Sequence, residues 1–222
     1  MSTLNFKCLV LDHDDTTVNS TPSIHYPAFV KILEELRPGR TCTQEEFLAA
    51  NLTPGLWNFY TNELGFTQKE IDREQEIWKE FIAGVIPSFF PGLPELLRDF
   101  REAGGTLCVV SHSFSDFIRR DYDTAKVRQP DLIFGADLER SKCKPNPWPL
   151  EEIMRLTGYG TEDLLMVDDL DAGLEMAHRC GVRFAACGWG YESPVIRAYM
   201  EKNADYYLTS IPDLRNLLFS AE

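Results

Sequence analysis

The chain has 222 residues, of which 44% are hydrophobic and 12% aromatic, and this suits one sizeable globular domain or a domain that carries an insertion. Its net charge of −13 argues against binding to nucleic acid phosphates or to an anionic membrane surface. The six cysteines form no CxxC pair, which argues against a zinc site, and neither an apolar leader nor a membrane-spanning stretch is recognisable. We therefore expect a cytoplasmic protein whose cysteines act mostly as small buried hydrophobes.

The first predicted strand ends in a group of acidic residues. An apolar run from Cys8 to Leu11 is bounded by polar residues, which predicts a buried strand of a parallel sheet. Asp12 and Asp14 follow this run, and residues two apart on an extended chain point the same way. Because the two carboxylates have no basic partner nearby in sequence, we expect either a bound cation or chemistry that uses both acids.

The next part of the chain, residues 18–86, is dense in helix formers and shows no convincing strand. One helix is predicted over residues 68–82, with a face formed by Ile71, Gln75, Trp78 and Ile82. We interpret residues 18–86 as a helical cap domain inserted at the C-terminal edge of the sheet, where it can exclude water and select substrate. Residues 1–17 and 87–222 are then predicted to form the core.

Beyond this insertion, short apolar runs alternate with helical patterns. The predicted strands cover residues 107–110, 132–134, 164–167, 183–187 and, more weakly, 206–208. The predicted helices cover residues 94–103, 147–156 and 173–180. Strands that alternate with helices indicate an α/β fold with a doubly wound parallel sheet.

Four loops of this predicted fold carry the candidate chemistry. They are Asp12 to Thr16, Ser111-His112-Ser113, Lys144-Pro145-Asn146-Pro147 and Asp168-Asp169. In open α/β sheets ligands bind outside the carboxyl ends of the strands, which is where three of these loops begin. Each loop alone is a weak signal: Ser111 by itself is explained as a turn residue, and Lys144 by itself is explained as a lysine exposed to solvent. Their order and spacing together indicate an active site.

The order and setting of these loops resemble the haloacid dehalogenase superfamily of hydrolases, and the resemblance covers most of the chain. Phe-Pro-Gly-Leu-Pro-Glu-Leu-Leu at 90–97 and Asp-Asp-Leu-Asp-Ala-Gly at 168–173 are typical of that family, while Gly-Trp-Gly-Tyr at 188–191 is similar to a loop of its phosphoglycolate-phosphatase-like branch. The resemblance implies a Rossmann-like core with a small helical cap. It also implies a Mg²⁺-dependent phosphoric monoester hydrolase acting on a small phosphorylated metabolite.

The resemblance assigns the acidic residues separate roles. Asp12 would be the nucleophile that forms an aspartyl-phosphate, and Asp14 would protonate the leaving oxygen and then deprotonate the attacking water. Mg²⁺ would be held by Asp12, the backbone carbonyl of Asp14 and Asp169. Asp168 would lie beside the metal or bind it directly.

The same resemblance assigns the groups that bind the phosphoryl oxygens. Lys144 would neutralise these oxygens together with Asp12, and it is preferred over Lys142 because Pro145 follows it. The Ser111 hydroxyl and the backbone N–H groups of His13 and His112 would donate hydrogen bonds to the phosphate. The rings of the two histidines are given no chemical role.

Two positions depart from the family pattern. Asp15 stands where the family often has glycine, and its effect is not explained by the sequence. Gly173 stands where some members carry a further acid, which the adjacent pair of acids at 168 and 169 is expected to replace. Within the cap, Trp57, Tyr60 and His25 are weak candidates for substrate contact.

Other functions remain open at this level. A sugar-phosphate mutase would use the same residues and return the phosphoryl group to substrate, and a non-catalytic binding or regulatory protein could share the scaffold. A dehalogenase is disfavoured because it does not need Asp14, and phosphonate hydrolysis would need a buried lysine in the cap. The sequence names neither the substrate nor the oligomeric state.

Overall fold

The computed structural model describes residues 3–220. Its strands are β1 Cys8–Leu11, β2 Val18–Asn19, β3 Ser88–Phe89, β4 Thr106–Val110, β5 Leu132–Phe134, β6 Leu164–Asp168, β7 Arg183–Cys187 and β8 Tyr206–Leu208. Its α-helices are α1 Tyr26–Leu36, α2 Gln44–Ala49, α3 Gly55–Asn58, α4 Gln68–Gly84, α5 Leu93–Glu102, α6 Ser115–Thr124, α7 Trp148–Thr157, α8 Asp171–Cys180, α9 Pro194–Asn203 and α10 Ile211–Leu218. Short helical turns cover Thr21–His25, Phe59–Glu63, Arg140–Lys142 and Thr161–Asp163.

The centre of the fold is a six-stranded parallel sheet in the order β5-β4-β1-β6-β7-β8. Strand β1 lies between β4 and β6 and is fully buried, as its continuous apolar sequence predicts. Leu9 and Leu11 pack into one apolar cluster, whereas Cys8 and Val10 pack into another on the opposite face. Because both faces are covered, the predicted doubly wound α/β fold is confirmed.

The helices α1 to α4 pack around an apolar cluster of their own. It includes Phe29, Ile32, Phe47, Tyr60 and Ile71, all of them buried. Capping boxes at Thr43 and Thr67 begin α2 and α4 and explain where these helices start. The helical content predicted for residues 18–86 is therefore present.

Two details of this region differ from the sequence-based expectation. Strand β2 lies inside the predicted insertion and pairs with β3 in a two-stranded antiparallel ribbon. A strand of two residues has no period to recognise, so the sequence could not reveal it. In α4 the buried positions include Ile77, while Gln75 is exposed, because Gln75 and Trp78 face a cleft instead of the helical cluster.

Two further expectations concern the burial of the cysteines and membrane-spanning segments. All six cysteines are free, and three of them are buried while three are partly exposed. Within residues 3–220, no helix combines the length and the apolar character needed to span a bilayer.

Candidate active site

A buried lysine joins two acidic residues at the C-terminal edge of the sheet. Lys144 Nζ lies 2.9 Å from Asp12 Oδ1 and 2.6 Å from Asp168 Oδ2. Asp12 follows β1 and Asp168 ends β6, so the parallel pairing of these strands sets their side chains next to each other. Burial alone would lower the pKa of Lys144, but the charges of Asp12 and Asp168 raise it above its usual value, so the lysine is charged.

A third acid completes the cluster. Carboxylate oxygens of Asp12, Asp168 and Asp169 lie within 4.8 Å of one another, and all three residues are buried. Burial and the charge of Asp12 raise the pKa of Asp168 to about 7 against the opposing effect of Lys144. Burial and the charge of Asp168 likewise raise the pKa of Asp169. One lysine does not balance three acids, so the cluster fits a hard divalent cation with oxygen ligands.

Hydrogen bonds distinguish the two neighbouring acids. Asp168 Oδ1 accepts from the backbone N–H of Leu170 at 2.9 Å, and its other oxygen accepts from Lys144. Asp169 instead accepts from the hydroxyl groups of Thr16 at 3.1 Å and Tyr191 at 2.8 Å. Each oxygen of both acids thus accepts one hydrogen bond, but Asp168 is bound to the charged Lys144, whereas Asp169 has only neutral hydroxyl partners. The hydroxyls orient Asp169 without neutralising its charge, which makes Asp169 the better metal ligand of the two.

The carboxyl group of Asp168 also explains the glycine at position 173. A Cβ atom at Gly173 would overlap the carboxylate of Asp168. An acidic side chain at 173 and the observed position of Asp168 therefore exclude each other. In this chain the carboxylate that contacts Lys144 together with Asp12 comes from position 168.

Asp14 is held from two sides by residues distant in sequence. The Ser113 hydroxyl donates to Asp14 Oδ2 at 2.5 Å, and His25 Nε2 lies 2.9 Å from Asp14 Oδ1. The indole N–H of Trp78 donates to His25 Nδ1 at 3.0 Å, which leaves Nε2 as the ring nitrogen that carries the proton in the neutral imidazole. Burial would raise the pKa of Asp14, but His25 and Ser113 outweigh it and lower this pKa below its usual range. The arrangement thus favours the carboxylate form of Asp14.

The other predicted phosphate ligands lie in different settings. Ser111 is buried and lines the cleft, and its Oγ accepts from the backbone N–H of Ser113 at 3.1 Å, which leaves its hydroxyl proton free to donate. The His112 ring donates from Nε2 to the carbonyl oxygen of Lys144 at 3.0 Å. The His13 ring points away from the cleft, since its Nε2 lies 3.0 Å from Asp121 Oδ2 in the interior.

The acidic edge opens into a cleft of about 950 Å³ that helical-insertion residues also line. Trp57 lines the cleft as predicted, and the guanidinium of Arg140 stacks 4.4 Å from the centre of its ring. The expectation that Tyr60 faces the cleft is wrong, because this ring is buried in the cluster of α1 to α4. On the far side, Asp171 Oδ2 accepts from the backbone N–H of Thr53 at 2.8 Å and from its hydroxyl.

Several residues of the site were missed by sequence reasoning. Ser113 belongs to a predicted loop, but its bond to Asp14 spans 99 positions of the chain. Tyr191 lies in a segment recognised as typical of the family, yet its bond to Asp169 has no sequence signal. His25 was predicted only as a weak substrate contact, and the structure sets it against Asp14.

Comparison with known proteins identifies the family. The family described as haloacid dehalogenase-like hydrolase matches residues 9–187. The chain belongs to this family. The predictions of the family and of an enzyme are thereby confirmed.

The relatives of this hydrolase include phosphatases. It is 28% identical over 191 residues to a protein named phosphoglycolate phosphatase from Aquifex aeolicus (strain VF5), covering 83% of this chain and 86% of that protein. A phosphoglycolate phosphatase from Pseudomonas syringae pv. tomato is 25% identical over 219 residues, covering 96% of this chain and 78% of that protein.

Solved structures show the same fold at lower identity. A putative haloacid dehalogenase-like hydrolase from Bacteroides fragilis has a TM-score of 0.78 at 18% identity, covering 94% of this chain and 99% of that chain. A predicted phosphoglycolate phosphatase from Haemophilus somnus 129pt has a TM-score of 0.75 at 18% identity, covering 95% and 96%. At this identity the match supports the α/β fold and carries no conclusion about substrate.

Proposed function

We propose that this hydrolase is a Mg²⁺-dependent phosphatase that cleaves a small phosphorylated metabolite through an aspartyl-phosphate on Asp12. The observation that carries this proposal is the position of Lys144, which contacts both Asp12 and Asp168 in a buried cluster with Asp169. A charged lysine beside a buried carboxylate provides a nucleophile and a counter-charge for an incoming phosphoryl group. The names of the relatives, phosphoglycolate phosphatase, support a phosphate monoester as substrate.

In the first step a carboxylate oxygen of Asp12 attacks phosphorus, and the bond between phosphorus and the leaving oxygen breaks. Asp14 gives its proton to that oxygen. Asp14 is a carboxylate in the arrangement described here, and the negative charge of a phosphoryl group beside it favours the protonated form that this step needs. Lys144 and the Ser111 hydroxyl stabilise the charge that develops on the phosphoryl oxygens.

In the second step water attacks phosphorus, and the bond to Asp12 breaks to release inorganic phosphate. The Asp14 carboxylate, held by Ser113 and facing His25, accepts the proton of this water. The same residue therefore acts as acid and then as base, and its contacts with distant residues keep it at the reacting atoms in both steps.

The cluster of three acids would hold the Mg²⁺ through Asp12 and Asp169, with the backbone carbonyl of Asp14 as a further ligand. When bound, Mg²⁺ supplies positive charge that offsets repulsion between these carboxylates and the phosphoryl group. Asp168 serves this site mainly by holding Lys144, because the charged lysine binds one of its oxygens and the backbone N–H of Leu170 binds the other.

We further propose that residues 18–86 act as the cap domain over a core formed by residues 1–17 and 87–222. The ribbon of β2 and β3 lies at the two ends of this insertion, and the insertion lines the cleft above the acidic edge. The cap side of the cleft offers the aromatic surfaces of Trp57 and Trp78, so we assign selection of the leaving group to this side.

Hydrolysis of p-nitrophenyl phosphate by the purified protein tests this function. We expect turnover that requires Mg²⁺, is abolished by EDTA and returns when Mg²⁺ is added back in excess. Asp72→Asn, on the exposed side of α4, serves as the matched control and should leave the rate unchanged. A panel of phosphorylated metabolites, with products analysed for free phosphate against isomerised substrate, separates a phosphatase from a mutase. No hydrolysis of any phosphate ester would refute the proposal.

A further inference from the structure

The aspartate that follows Asp14 has a backbone conformation that most residues avoid. The φ angle of Asp15 is 52°, in the left-handed region, where glycine is favoured and Asp is tolerated. Its backbone lies so close to the loop after β7 that a Cβ atom at Gly190 would overlap the Asp15 carbonyl. The side chain, which glycine would lack, is buried. A buried carboxylate at a position that suits glycine needs a specific set of partners.

Those partners belong to the first linker between core and cap. The Asp15 carboxylate accepts from the backbone N–H groups of Ser20 at 3.2 Å and Thr21 at 2.9 Å, and also from the Thr21 hydroxyl. All these donors lie at the start of the helical turn Thr21–His25, which continues directly into α1 of the insertion. The carboxylate thus fixes where this turn begins.

The other end of the same turn reaches the neighbouring aspartate. His25 is its last residue, and His25 Nε2 lies 2.9 Å from Asp14 Oδ1. Asp14 and Asp15 are adjacent in the chain, yet they contact opposite ends of one turn. A shift at the start of the turn would therefore move His25 relative to Asp14.

We propose that Asp15 is a positioning residue whose carboxylate fixes the cap linker so that His25 meets Asp14 in the geometry needed for proton transfer. This inference rests on the proposed phosphatase function. Glycine at this position would keep the backbone conformation and leave the N–H groups of Ser20 and Thr21 without their acceptor. Asparagine would tolerate the same φ angle and keep an oxygen that accepts from the N–H groups of Ser20 and Thr21. It would remove the charge and place an amide NH2 beside the Thr21 hydroxyl, which can accept from it.

The test compares Asp15→Gly with Asp15→Asn on two substrates of similar shape. Phenyl phosphate has a leaving group that depends on protonation, whereas p-nitrophenyl phosphate has a far better leaving group that depends on it little. For Asp15→Gly we expect kcat/KM to fall about tenfold for phenyl phosphate and at most about twofold for p-nitrophenyl phosphate. We expect Asp15→Asn to restore both values to within about threefold of the wild type.

Each outcome is decisive once thermal unfolding shows that the variants are folded. An equal loss on both substrates, full activity of Asp15→Gly, or an Asn variant as impaired as the Gly variant would each overturn the positioning role while the phosphatase function stands. Wild-type protein that hydrolyses neither these two substrates nor any ester of the metabolite panel would overturn both. If Asp15→Gly does not fold, Thr21→Val removes one donor to the same carboxylate, and a selective loss on phenyl phosphate is again the expected result.

Discussion

The edge of the sheet and the cap side of the cleft are built from different kinds of interaction. At the edge, Lys144 and three acids are buried, and the acids follow or end parallel strands whose register is set by the core. On the cap side, Trp57 is 42% exposed and is supported by stacking with Arg140. The edge is therefore rigid and suited to one reaction. Residues on the cap side can be substituted without disturbing that reaction. Substitutions at the edge should affect every substrate, and those on the cap side should affect substrates unequally.

Asp12→Asn should have the largest effect on activity. The variant replaces the proposed nucleophile and leaves Lys144 paired with Asp168, so the fold should remain intact. We expect turnover to fall by about 10⁴-fold or more on every phosphate ester, measured with unchanged thermal unfolding. Retained turnover with any ester would remove Asp12 from the role of nucleophile.

Lys144→Met should lower the stability of the protein as well as its activity, because this lysine is buried at the edge of the sheet. The change leaves buried Asp12, Asp168 and Asp169 without their cation, and we expect a loss of about 3–5 kcal/mol in the free energy of unfolding without Mg²⁺, together with loss of activity. Urea unfolding measures the first and phosphate release the second. Lys142→Met is the control, since Lys142 is partly exposed, pairs with exposed Glu139 and lies over the Trp148 ring, and its removal should cost less than about 1 kcal/mol. Similar losses in both variants would contradict the central position of Lys144.

Trp57→Ala should weaken the binding of aryl substrates without slowing the chemical step. Removal of this ring should raise KM for aryl phosphates by about three- to tenfold and leave kcat nearly unchanged, because an aromatic contact contributes roughly 1 kcal/mol. Steady-state kinetics with an aryl and a small alkyl phosphate give the comparison. Tyr60→Phe, in the buried cluster, should change neither constant. A fall in kcat equal for both esters would show that the cap side is part of the reacting centre.

The smallest expected effect is confined to the cap and depends on pH. Burial raises the pKa of Glu74 to about 7, from an ordinary value of 4.5. A raised carboxyl pKa favours folding while the group is protonated, so this contribution is complete below pH 4.5 and is lost as the pH rises through 7. Glu74→Gln should therefore stabilise the protein by about 1–2 kcal/mol at pH 8 and have little effect at pH 4.5.

Urea unfolding at the two pH values measures this difference. Glu76→Gln lies on the same helix, with a side chain that is 65% exposed, and should show no such pH dependence. An equal effect of Glu74→Gln at both pH values would show that the protonation of Glu74 is not linked to folding.

The core could be predicted from sequence because its signals are local. The buried run of β1 and the acids after it are adjacent in the chain, and a strand that is apolar throughout has one natural place in a doubly wound sheet. The same logic placed Ser111 and Asp168 at one edge. Lys144 follows no strand directly, and its assignment depended on the family pattern.

The contacts that hold Asp14 could not be predicted because they are made in space between separate elements. Ser113 comes from the loop after β4, and His25 from the linker to the cap. Trp78 was assigned to the buried face of α4, whereas its indole reaches His25 from the cleft side. Asp15 was visible as a departure from the family pattern, but its purpose needed the φ angle and the donors of the linker.

The contact between Thr53 and Asp171 ties the far side of the cap to the first residue of α8, two positions after Asp169. Any movement that opens the cleft between residues 18–86 and α8 must break this contact, so the contact opposes opening. To the extent that substrate enters through an opened cleft, the fraction of open molecules multiplies the intrinsic affinity and raises the apparent KM. Such an equilibrium would change the apparent KM of every substrate by the same factor and leave their ratios to the contacts within the cleft.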